Sequence, residues 1–111
     1  MIALKAGVSL RNLQPQALLA AIVADQVFAA HAVWHPGGER LCVITSANDS
    51  KHKPNSLHPK GLALDIRTRT VANAEVLAEI IGHHLGPDFD VIAESDHIHV
   101  EWDPDSNRRT A

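Results

Sequence analysis

Asn55-Ser56-Leu57-His58-Pro59-Lys60-Gly61-Leu62-Ala63-Leu64-Asp65-Ile66 is the stretch whose reading decides the fold. Its His58 and Asp65 offer nitrogen and oxygen, both common zinc donors. Seven positions separate them. In one straight strand their α-carbons would stand about 23 Å apart. Ligands of one metal must converge, so the chain has to bend between them. Pro59-Lys60-Gly61 permits that bend, since proline fixes one dihedral and glycine tolerates positive φ. Beyond it, Gly61 to Ile66 reads as a strand. Alternation puts Gly61, Ala63 and Asp65 on one face and Leu62, Leu64 and Ile66 on the other. The face with the acid is nearly bare of bulk, as a metal and a substrate require.

Asp96-His97-Ile98-His99-Val100-Glu101-Trp102 has the same pattern. His97, His99 and Glu101 share one side; Ile98, Val100 and Trp102 share the other. Two such strands can pair in one sheet, with greasy faces under a helix layer and polar faces meeting at a metal. Strict alternation points Asp96 away from His99. It reaches the ligand side only where the strand begins after it, or where a bulge intervenes. Glu94 is the rival acid, three residues before His97, but that choice makes His97 the ligand. Glu101 can orient a histidine from behind.

Ser56-x-His58 followed by Gly61, Ala63 and Asp65, then a late His-x-His, resembles the zinc D-Ala-D-Ala carboxypeptidase family. That family is grouped with lysostaphin-type endopeptidases and the hedgehog signalling domain. The most similar forms are small phage and bacterial peptidases of the L-alanyl-D-glutamate and D-alanyl-D-alanine kind. The resemblance runs from about Ser9 to Pro104. It implies that His58, Asp65 and His99 hold zinc, that Asp96 is the general base and that His97 stabilises the reacting centre. It places Ser56 beside the substrate. In one respect the chain departs from the pattern. Relatives often carry an arginine shortly after a Thr-Ser pair, where it holds a substrate carboxylate. Here Thr45-Ser46 leads into Ala47-Asn48-Asp49-Ser50-Lys51, leaving Lys51, Lys53 or Arg67 as substitutes.

Composition sets the bounds. The 111 residues suit one domain, and 45% apolar content supports one core. A net charge of −3 argues against nucleic acid as the main partner. The single cysteine, Cys42, has no internal disulfide partner and sits in the apolar run Leu41-Cys42-Val43-Ile44. It reads as a buried thiol rather than a nucleophile. The apolar stretch Ala17 to Val33 is broken by Asp25 and Gln26, too polar to span a membrane and too far inside the chain for a signal peptide. A monomer made in the cytoplasm and released to act on the cell wall is expected.

In chain order, Val8 to Leu13 reads as an edge segment or lead-in. Pro15 suits a first helical turn. From Gln16 to about Ala32, Leu19, Ile22, Val23, Val27 and Ala30 mark a core-facing helix, with Asp25 and Gln26 opposite. Pro36-Gly37-Gly38 is a turn. A buried strand follows within Glu39 to Ser46. Ala47 to Asn55 is a polar loop at the rim of the site. Thr68 or Thr70 caps a second helix, with Ala74, Leu77, Ala78, Ile81 and Leu85 on one face. Gly86-Pro87 ends it, and His83-His84 suit its final turn. Asp90 to Ala93 is another strand, and the tail from about residue 105 frays.

The expected architecture is α+β, with helices on one face of a small, mainly antiparallel sheet and zinc on the other. Three protein ligands leave a fourth position for water, the pattern of a catalytic zinc. The expected activity is hydrolysis of a peptide bond in peptidoglycan stem peptides. The alternative is a zinc-stabilised domain that binds cell wall, or serves in a phage particle, without cutting.

Overall fold

The computed structural model describes residues 1–9, 13–47 and 62–104. Its elements, in chain order, are β1 (Ile2–Leu4), α1 (Pro15–His31), β2 (Cys42–Ser46), β3 (Ala63–Arg67), α2 (Ala74–Leu85), β4 (Phe89–Ala93) and β5 (His97–Trp102). The strands form one sheet in the order β1-β2-β3-β5-β4. Only the β1–β2 pairing is parallel; β2–β3, β3–β5 and β4–β5 are antiparallel. The architecture is therefore α+β, as expected, with a mixed sheet.

Alternation separates the two sheet faces. Ile66 lies opposite Ile98 and Leu64 opposite Val100. All four are buried and join Ile44 of β2 in the core. Phe28 from α1, with Leu77 and Ile81 from α2, closes that core from one side. Both helices thus cover the apolar face. Among the described residues, no helix is long and apolar enough to cross a membrane.

Helix α1 differs from expectation in the face it buries. Ala17, Ala20, Ala21, Ala24, Val27 and Phe28 point inward. Leu19 and Ile22, expected in the core, are 51% and 44% exposed. The helix is apolar almost all round, so periodicity singles out no face. Packing then selects the alanine stripe, whose small side chains let the backbone approach its neighbours closely. Asp25, expected on the solvent side, lies 2.7 Å from the Met1 ammonium.

Two further boundaries differ. The edge strand is Ile2–Leu4, not Val8 to Leu13; Val8 and Leu13 pack against the core, and residues 10–12 lie outside the described residues. Helix α2 begins at Ala74, after Asn73, so neither Thr68 nor Thr70 is its cap. The residues between are docked elsewhere. Thr70 accepts from the His35 N–H, and Val71 bridges to Trp34. Asn73 clips the two helices together, its Oδ1 accepting from the Val33 N–H at 2.9 Å and its Nδ2 donating to the His31 carbonyl at 3.0 Å. Gly86, at φ 90°, ends α2 as expected.

Cys42 is buried, as the apolar run implied. Burial, helped by the Asp25 carboxylate, pushes its thiol up to about 12. The fold therefore favours the neutral thiol. That contribution to stability is complete below the ordinary pKa of 9.0 and is lost as pH rises towards 12. The native protein should not react with Ellman's reagent at pH 8, and should react fully in denaturant; prompt native reaction would show an accessible thiolate.

The inward face of α1 is tested by urea unfolding. Ala24→Leu should cost about 1–3 kcal/mol by overpacking. Leu19→Gln should stay within about 0.5 kcal/mol of the parent. A reversed order of the two effects would mean that the leucine face is the buried one.

Candidate functional site

The site grows from the register of β3 and β5. Asp65 lies directly opposite His99, Arg67 opposite His97 and Ala63 opposite Glu101. All six side chains belong to the sheet face that the helices leave open. Ala63 contributes only a methyl group to this face and is fully buried.

Asp65 Oδ1 accepts a hydrogen bond from His99 Nδ1 at 2.9 Å. The other ring nitrogen, Nε2, lies 3.1 Å from Glu101 Oε1. His99 is therefore held between two carboxylates. The hydrogen bond to Asp65 is the largest cause that raises its pKa above 6.5; partial burial opposes it and Glu101 assists. Because the folded value is raised, this contribution to stability is present below pH 6.5 and fades as pH climbs through the folded pKa.

His97 Nε2 is 3.7 Å from the same Asp65 oxygen. Its Nδ1 makes a 2.6 Å hydrogen bond with Asp96 Oδ1. The strand begins at His97, so Asp96 precedes it in a turn and escapes strict alternation. Asp96 faces the same groove as Asp65 and His97. Glu94, the rival acid, instead lines a separate hollow with Thr68 and Ala74 at the start of α2. Carboxylate and imidazole thus alternate across the open face, in the order Asp96, His97, Asp65, His99, Glu101.

A groove of about 390 Å³ runs along this face. Besides the acids and His97 it is lined by Thr45, Lys5, Arg67 and Arg69. Thr45 is there because of a β-bulge. Ile44 pairs with Ile66 and Ser46 with Asp65, so β2 spends one extra residue against β3. Lys5 follows the parallel edge strand, whose presence the sequence did not reveal. Arg69 did leave a signal: Asp65, Arg67 and Arg69 are alternate residues.

The donor set can be weighed against zinc. The facing atoms of Asp65 and His99 are 2.9 Å apart. Two ligand atoms of a tetrahedral zinc site stand roughly 3.3 Å apart. A small adjustment would admit the ion in place of the shared proton. Glu101 is already where a metal-bound histidine ordinarily finds its outer partner. Among the described residues, no three His, Cys, Asp or Glu side chains form a complete metal-holding group. His58, the third expected ligand, and Ser56 lie outside the described residues, as do Lys51 and Lys53. The two described members of the three-residue set, Asp65 and His99, fit zinc.

Comparison of the chain with protein-family models, curated proteins and solved structures found no match.

His99 offers a direct check. In metal-free protein its NMR titration should be centred above 6.5. Asp65→Asn should lower that midpoint more than Glu101→Gln does. Added zinc should displace the Nδ1 proton and abolish the titration. A midpoint at or below the ordinary value, with no response to zinc, would contradict the site.

Proposed function

We propose that the chain is a zinc-dependent peptidase that hydrolyses a peptide bond in peptidoglycan stem peptides, of the D-Ala-D-Ala carboxypeptidase or L-Ala-D-Glu endopeptidase type. The observation that carries this reading is the approach of Asp65 Oδ1 to His99 Nδ1, with the Asp96–His97 pair beside them on one open face. The substrate class comes from the sequence resemblance alone.

In this reading Asp65 and His99 hold the metal together with His58. Zinc, when bound, lowers the pKa of a water towards 7 and polarises the scissile carbonyl. The chain's own residues do the rest. Asp96 accepts the proton of the attacking water at its carboxylate and returns it to the leaving amine. Its side chain is 83% exposed, so a substrate can reach it. His97 is fixed by Asp96 through Nδ1, which leaves Nε2 towards the centre of the site. From there, when protonated, it donates to the oxygen that gains charge. The 2.6 Å contact holds Asp96 and His97 together as one hydrogen-bonded unit. Glu101 holds the His99 ring from behind.

Mass spectrometry of purified muropeptides after incubation with zinc-loaded protein tests the activity. The parent should release a defined peptide fragment. Asp96→Asn should retain zinc and its melting temperature, yet lose about 10²–10⁴-fold in turnover. Glu94→Gln should keep most activity. If only Glu94→Gln abolishes hydrolysis, the base is misassigned. If the parent binds muropeptides and never shortens them, the chain is a binding domain.

A further inference from the structure

Three cations line the groove beside the carboxylate–imidazole row: Lys5 after β1, Arg67 at the end of β3 and Arg69 just beyond it. Two acids, Asp65 and Asp96, line the same groove. Ordinary charge pairing would join the two sets. It does not: among the described residues, none of the three cations makes an ion pair within 4.0 Å. The acids are instead engaged by imidazoles, Asp96 at 2.6 Å and Asp65 at 2.9 Å. Among the described residues, the positive charge that lines this groove is therefore left without an acidic partner. Three separate strands or their ends converge to supply it and its surroundings, with Thr45 brought in by the bulge of β2.

We propose that Lys5, Arg67 and Arg69 form an anion subsite for a ligand with two carboxylates close together, as an acidic residue at a peptide's C-terminus presents them. One carboxylate needs one guanidinium, which it meets through two parallel hydrogen bonds. Two guanidinium groups and an ammonium exceed that need and match a second carboxylate. Arg67 is half-buried, facing His97, and fixes the inner carboxylate near the reacting centre. Arg69 and Lys5 are exposed and take the outer one. Calling this ligand a substrate rests on the peptidase reading; the subsite itself does not.

Calorimetric titration of the full chain, with and without zinc, tests it using glutarate, its monoamide and inorganic phosphate. Glutarate should bind more tightly than the monoamide in both metal states. Arg69→Gln and Lys5→Gln should each weaken glutarate about five- to tenfold. Added salt should weaken it as well. Equal affinity for glutarate and its monoamide would overturn the proposal. So would tighter binding of phosphate, or binding that needs zinc and ignores Arg69→Gln, which would be metal ligation. Peptides ending in Glu or in its diamide separate this from the peptidase reading. If glutarate behaves as expected and no peptide is cut, the subsite stands and the peptidase reading falls. If peptides are cut without regard to end charge, and Arg69→Gln leaves that indifference intact, the subsite falls and the peptidase reading stands.

Discussion

Asp65 and His99 face each other across two antiparallel strands, and everything on the open face follows from that pairing. A slip of β5 by one residue against β3 would turn His99 into the core and expose Ile98 and Val100, and a slip of β3 would do the same to Asp65, Leu64 and Ile66. Burial of those four residues therefore fixes the site as firmly as it fixes the fold. The 2.9 Å hydrogen bond is the product of a register that the hydrophobic core enforces.

The remainder of the site is arranged around that pair. His97 and Glu101 share its face by strand alternation, and each extends the row by one contact. Asp96 joins only because β5 starts one residue later. The bulge in β2 places Ser46 opposite Asp65 and brings Thr45 to the groove. Acids half-withdrawn from water are costly unless something charged or hydrogen-bonding meets them. Here imidazoles meet Asp65 and Glu101 in that way.

Much of this was legible in the sequence. The two alternating stretches gave β3, β5, their greasy faces and the gathering of Asp65, His97, His99 and Glu101. The condition attached to Asp96, a strand that starts after it, is met. What could not be read depended on packing. Helix α1 is apolar around its circumference, so its pattern could not say that the alanines face inward. Thr68 and Thr70 are plausible caps by residue type, yet their segment is held against Trp34 and His35. The short parallel strand β1 carries no alternation long enough to recognise, so the place of Lys5 beside the groove is not legible in the sequence. A bulge leaves no mark in composition, so the place of Thr45 in the groove was not legible either.

Whether the pair of Asp65 and His99 is half of a metal site is decided by diffraction from zinc-soaked crystals at wavelengths on either side of the zinc edge. The account predicts one anomalous peak, about 2.0–2.2 Å from Asp65 Oδ1 and His99 Nδ1. His58 should supply the third protein ligand, and no fourth should be present. Zinc bound elsewhere, with the direct hydrogen bond between Asp65 and His99 left intact, would contradict it.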